Sequence, residues 1–239
     1  MKIIIMGATS GIGMELARQY HQQGHKVAIA GRRLERLQTI SEELDNCPYA
    51  QIDINAQEAT EQLQRLICLM KGMDLYVHVS GVGKQNRQLS IDIELETVTT
   101  NVVGFTRMLN CAYHYFAKQN MGHIAVVSSV AGTKGMGVAA SYSASKRYCN
   151  TYIEALTQLA YMRKLNIRFT DIRPGFVDTD LLNKDYHYPM LMPTTDVVKH
   201  IIHGIAHKKR VITIDWRFRI IVALWRLIPS SIWTKLKIG

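Results

Sequence analysis

Seven short apolar runs punctuate the chain, at residues 3–6, 26–30, 49–54, 75–79, 123–128, 168–172 and 211–214. They are rich in β-branched residues and lack polar alternation, as expected of strands buried on both faces of a parallel sheet. Longer amphipathic stretches separate them, at residues 12–23, 34–44, 57–70, 102–118, 142–164 and 196–207. Strands alternating with helices in this way predict an α/β fold, a doubly wound parallel sheet with helices on both faces. The length of 239 residues suits one such domain, over 1–215, followed by a basic amphipathic tail over 216–239.

The first run leads straight into Gly7-Ala8-Thr9-Ser10-Gly11-Ile12-Gly13, which opens the first helix. Glycines there allow a tight turn and let backbone N–H groups approach a pyrophosphate at the helix N-terminus. Thr9, Ser10 and Ile12 lie within the same loop. The second run ends in Gly31-Arg32-Arg33, with no acid to bind a ribose 2′-hydroxyl. A guanidinium grips a 2′-phosphate instead, and one charge-assisted hydrogen bond of about 1.5–3 kcal/mol favours NADP(H) by roughly tenfold to a hundredfold. Arg32 and Arg33 can equally open a solvated helix face with Arg36.

Tyr142 and Lys146 are four residues apart in a helical segment and share a face. Small residues surround the tyrosine, Ser128-Ser129 end the fifth run, and Asn101 stands at the expected start of a helix, a capping or water-holding position. An ammonium about 4 Å from a phenolate stabilises it by about 4 kcal/mol at an effective dielectric near 20. Lys146 therefore makes Tyr142 a plausible proton donor to a developing alkoxide.

Taken together, these motifs resemble the short-chain dehydrogenase/reductase family in its compact single-domain branch. The glycine loop, Asn101, Ser129, the Tyr142-x-x-x-Lys146 pair, Pro174-Gly175 and Thr179 match in order and spacing over about 1–215. The resemblance implies a Rossmann-type seven-stranded fold, bound NADP(H), and interconversion of a carbonyl and an alcohol. It implies a catalytic set of Asn101, Ser129, Tyr142 and Lys146. Ser129 is preferred to Ser128 because it lies thirteen residues before the tyrosine. Asn101 would hold a water that connects Lys146 to solvent. Cofactor contacts would come from the glycine loop, Asp53 and Ile54 near the adenine, Gly81, Asn101, Tyr142, Lys146, Pro174, Gly175 and Thr179. Asp53 reads equally as a turn or helix cap, and Gly175 as a turn residue. A homodimer or homotetramer is also implied, paired through the helices at 102–118 and 142–164. The chain departs from the family at Met6, where threonine is usual, and at His78-Val79-Ser80-Gly81, where Asn-Asn-Ala-Gly is usual.

The segment 181–193 stands where the family places its substrate lid. Tyr186, Tyr188, Met190, Leu191 and Met192 favour an apolar substrate, or else pack the lid on its own body. Of the net charge of +10, +7 falls in residues 208–239, which hold eight basic residues and one acid. After Trp216 there are five basic residues, two further tryptophans and no acid. That composition suits a helix lying on anionic lipid, or one packed on protein with its charges solvated. Basic residues confined to an apolar tail argue against nucleic-acid binding. The four cysteines are widely spaced, and no His/Cys/Asp/Glu spacing suggests a metal site. The opening Met1-Lys2 runs directly into isoleucines, without the pattern of a secretory leader, so the expected setting is cytoplasm, at most peripheral on a membrane. Two other functions share these motifs: an epimerase or dehydratase using the same Tyr-Lys pair, and a non-catalytic NADP-binding scaffold at a membrane.

Overall fold

The computed structural model describes residues 1–182 and 187–237. Seven parallel strands form one sheet in the order β3-β2-β1-β4-β5-β6-β7. They are β1 (Lys2–Met6), β2 (Lys26–Gly31), β3 (Tyr49–Gln51), β4 (Leu75–His78), β5 (Met121–Val127), β6 (Asn166–Arg173) and β7 (Val211–Thr213). The central strand β1 shows why. Ile3 and Ile5 pack under α1 (Gly11–Gln22), α2 (Leu34–Glu43) and α7 (Thr194–Ala206), whereas Ile4 and Met6 pack under α3 (Ala59–Leu69), α5 (Phe105–Lys118) and α6 (Ala140–Met162). Both faces need apolar side chains, so alternation vanishes from the sequence. Strand order reverses between β1 and β4, and the crevice there is where doubly wound sheets bind ligands.

Several boundaries differ from expectation. The third strand stops at Gln51 rather than continuing to residue 54, because Asp53 accepts a hydrogen bond from the Asn55 amide at 3.0 Å and turns the chain. A helix missing from the sequence reading, α4 (Ile91–Val98), runs through a π-helical turn at Thr99–Gly104 into α5. Asn101 is therefore inside a continuous helical run and is not a cap. Such π-turns are common at functional sites.

The tail forms α8 (Trp216–Leu227) and α9 (Ser230–Trp233). Asp215, at φ 72°, caps α8 by accepting from the Arg217 amide at 2.8 Å. Phe218 and Val222 face the body and pack on Val130. Trp233 is buried, and its indole N–H donates to the Gly135 carbonyl at 2.7 Å, so it is not an exposed interfacial tryptophan. Trp216, Ile220, Leu224 and Leu227 form an outward apolar stripe. Among the described residues, no helix is long and apolar enough to cross a membrane.

Candidate active site

The glycine loop is built for close backbone approach. Gly7 and Gly11 have φ of +92° and +51°, conformations that favour glycine. A Cβ at Gly13 would lie 2.2 Å from the Gly7 carbonyl oxygen. Ser10 precedes α1 without a side-chain capping bond, leaving the N–H groups of the first turn for an anion. Instead its hydroxyl, like that of Thr9, accepts from the Arg33 guanidinium at 2.7 Å. Arg36 reaches the Thr9 carbonyl at 3.5 Å and Asp180 at 3.4 Å. Burial first, and the Arg36 charge second, pull Arg33 below the usual arginine range. Two cations, Arg33 and Arg36, with Arg32 exposed beside them, crowd one end of the loop. An open helix terminus, a glycine cradle and this guanidinium cluster fit a phosphorylated dinucleotide.

Other residues expected at a cofactor are less free. The side chains of Ile12 and Ile54 point into the core, which leaves only their backbone available. Asp53 closes a turn rather than a strand. Thr179 packs its methyl group over Gly11, 2.9 Å from where a Cβ would stand. The Pro174 carbonyl accepts from the Val130 amide at 3.1 Å, tying the turn after β6 to the turn after β5. A Cβ at Gly175 would fall 2.0 Å from the Phe218 ring, so this glycine admits the C-terminal helix.

At the carboxyl end of β5 the two serines diverge. Ser128 donates to the buried Asp171 carboxylate and accepts from Asn150 at 2.9 Å, in a network that also holds Arg173. Ser129 caps a 3-10 turn at Val130–Thr133, its hydroxyl accepting from the Ala131 amide at 3.1 Å. Lys146 is buried, 7% exposed, and its Nζ lies 5.6 Å from the centroid of the Tyr142 ring one turn away. That ammonium donates to the Val127 carbonyl at 3.2 Å, two residues before Ser129. Gly83 admits the tyrosine: a Cβ there would lie 2.6 Å from Cε2 of the ring.

Asn101 joins the loop after β4 to the catalytic helix. Its Oδ1 accepts from the Val82 amide at 2.9 Å, while Nδ2 donates to the Val82 carbonyl at 2.7 Å and to Ser145 Oγ at 3.1 Å. Both amide protons are thus committed to protein. Gly81 lies between, a Cβ there falling 3.2 Å from Asn101 Oδ1 and 3.5 Å from Lys146 Nζ. His78 ends β4 at 1% exposure, bonded through Nδ1 to the Tyr76 hydroxyl at 3.0 Å. Burial, then the Lys146 charge, push it down to about 3, so it stays neutral. Among the described residues no group of three or more His, Cys, Asp or Glu is placed to hold a metal ion.

Residues 1–188 match the family model for short chain dehydrogenases. The chain belongs to the short-chain dehydrogenase family. It is 30% identical over 237 residues to an uncharacterized oxidoreductase of Myxococcus xanthus (strain DK1622), covering 96% of this chain and 93% of that one. An NADP-dependent 3-hydroxy acid dehydrogenase of Escherichia coli (strain K12) is 31% identical over 182 residues, or 74% of this chain and 73% of that protein. The closed form of a serine dehydrogenase complexed with NADP+ superposes with a TM-score of 0.81 at 27% identity, over 90% of this chain and 94% of that one. This short-chain dehydrogenase therefore shares sequence and fold with oxidoreductases, and the cleft beside Tyr142 stands at the strand-order reversal.

The end of the segment 181–193 packs on apolar side chains of the body. Met192 pairs with Val177, and the Tyr188 ring lies 5.0 Å from that of Phe176. Met190 packs against the cluster of Val130, Phe218 and Val222. Leu191 is exposed. Tyr186 lies outside the described residues. The sequence reading missed Phe218, although an aromatic three residues into a helix that follows β7 was a visible signal.

Proposed function

We propose that this short-chain dehydrogenase interconverts a carbonyl and an alcohol with NADP(H), on an apolar or lipid-like substrate. The observation that carries the reading is the buried Lys146 ammonium, 5.6 Å from the Tyr142 ring and 3.5 Å from where a Cβ at Gly81 would stand. NADPH, when bound, supplies the hydride that reduces the carbonyl carbon. Tyr142 Oη gives its proton to the oxygen as charge develops there, and Lys146 stabilises the phenolate left behind. Ser129 holds the same oxygen, its hydroxyl free to donate because its contact to Ala131 uses only a lone pair. Asn101 is a positioning residue that fixes the loop at Gly81–Gly83 against both partners. Arg32, Arg33 and Arg36 receive the 2′-phosphate. Phe176, Tyr188, Met190 and Phe218 supply an apolar wall.

Residues 1–215 serve as the catalytic unit in this reading, and 216–239 as an extension. The outward stripe of Trp216, Ile220, Leu224 and Leu227, with five basic residues and no acid after Trp216, suits a peripheral contact with anionic lipid on the cytoplasmic side. The faces of α5 and α6 suit pairing with a second copy. The test is NADPH consumption against a panel of ketones, aldehydes and lipid-linked carbonyls, run in parallel with NADH. The reading expects turnover that prefers NADPH. Absence of NADPH binding, or binding with no turnover on any class, refutes it. A high-salt or carbonate wash that leaves no protein on membranes refutes the lipid contact.

A further inference from the structure

A cavity of about 350 Å³ lies beside the catalytic helix and outside the dinucleotide cleft, within the size range of small-molecule sites. Four parts of the chain build it. Arg147, Thr151 and Glu154 come from α6, Lys134 from the loop after Ser129, and Arg226 from α8, with Arg173 from the end of β6. Four cations thus face one carboxylate. Arg173 is neutralised from behind by the buried Asp171, at 2.6 Å, which leaves a surplus of two positive charges. Lys134 also donates to the Ile228 carbonyl at 2.8 Å and lies 5.8 Å from the centroid of the Trp233 ring, contacts that hold the ammonium without a carboxylate to cancel its charge among the described residues. Among the described residues, neither Arg147 nor Arg226 has a carboxylate within 4.0 Å. Like charges drawn from separate elements into one polar hollow repel each other unless an anion sits among them.

We propose that this cavity is a binding site for a phosphate-bearing dianion. The surplus of two charges matches a phosphoryl group. The guanidinium forks of Arg147 and Arg226 suit its oxygens in a way that a lone ammonium does not. The Thr151 hydroxyl adds a neutral donor, and Glu154 accepts from a hydroxyl on the rest of the ligand. Occupancy joins Arg226 on α8 to Arg147, the residue next to Lys146, and so holds the C-terminal helix over Gly175. The phosphate comes from a soluble phosphorylated metabolite or from the phosphomonoester headgroup of a lipid, and the second source is consistent with the apolar stripe on α8. None of this depends on the reaction performed in the cleft.

Calorimetric titration of the full chain with inorganic pyrophosphate tests the site, comparing wild type, Arg147→Gln/Arg226→Gln and Arg33→Gln. Loss of the two arginines weakens binding about a hundredfold, roughly tenfold for each charge-assisted contact. Arg33→Gln, which alters only the glycine loop, weakens any pyrophosphate binding at that loop and leaves binding at the cavity in place. Both replaced arginines are exposed. Thr151→Phe fills the hollow with every charge retained, and weakens binding in the same way. Equal binding in wild type and the double variant, binding lost only in Arg33→Gln, or no binding at millimolar pyrophosphate overturns the proposal. Release of pyrophosphate by phosphatidic acid vesicles but not by phosphatidylcholine vesicles assigns the site to a headgroup. Retention in both assigns it to a soluble anion.

Discussion

Phe218→Ala asks whether the C-terminal helix is fastened to the catalytic loops or merely rests on them. The ring is 4% exposed and occupies the space a Gly175 side chain would fill, with Val130 and Val222 completing its surroundings. Truncating a packed phenylalanine costs about 3–5 kcal/mol. The cluster lies at the molecular surface, where α8 can settle into part of the gap, so the lower end, about 3 kcal/mol, applies. Neither of the two large core clusters contains Phe218, and the loss therefore falls on helix docking rather than on the sheet. At about 1.4 kcal/mol per tenfold, the undocked population rises about a hundredfold. Hydrogen exchange read by mass spectrometry should show amides of α8 exchanging faster by about that factor. The loop at 130–135 should follow, with β1 and β4 unchanged. Unaltered exchange in α8, or equal acceleration throughout the sheet, refutes the reasoning.

Other perturbations separate cofactor, geometry and pH. Arg32→Asp with Arg33→Ala should raise KM for NADPH roughly tenfold to a hundredfold and leave KM for NADH nearly unchanged in steady-state assays; equal losses contradict the phosphate role. Gly83→Ala places a methyl group 2.6 Å from the Tyr142 ring, so kcat should fall by about tenfold or more while calorimetric Tm moves little. His78 titrates at about 3 in the fold, against an ordinary 6.5. Its stabilising effect is complete above pH 6.5 and is lost as pH falls toward 3, because the unfolded chain takes up the proton first. Denaturant unfolding should show about 1.4 kcal/mol lost per pH unit below 6, with His123, held at about 4, adding to the slope. His78→Asn should flatten that slope, and an unchanged slope rejects the assignment.

The seven strands were legible because each announces burial on both faces, as in Ile3-Ile4-Ile5. Helix α4 was passed over although Ile91, Leu95 and Val98 fall at helical spacing, because the stretch is only eight residues long and joins α5 without a break; in the fold these three are exposed and only Thr97 is buried. Asn101 looked like a cap because the π-helical turn that absorbs it leaves no mark in composition. The two faces of α8 were confounded as well. A single amphipathic pattern cannot distinguish the inward Phe218 and Val222 from the outward Ile220 and Leu224 when all four are apolar. The site motifs were readable in order and spacing, but not the contacts that organise them. Arg33 bridging Thr9 and Ser10, Gly83 under Tyr142, and the C-terminal helix against Gly175 each depend on distant chain segments.

The pairing of Tyr142 with Lys146 is tested most directly by Tyr142→Phe, which removes one oxygen and leaves the ring against Gly83. Fluorescence titration and single-turnover kinetics on the same preparation separate binding from chemistry. Dinucleotide affinity should stay within about threefold of wild type, while the hydride-transfer rate falls by about a thousandfold or more. A phenylalanine variant that turns over at the wild-type rate contradicts the account.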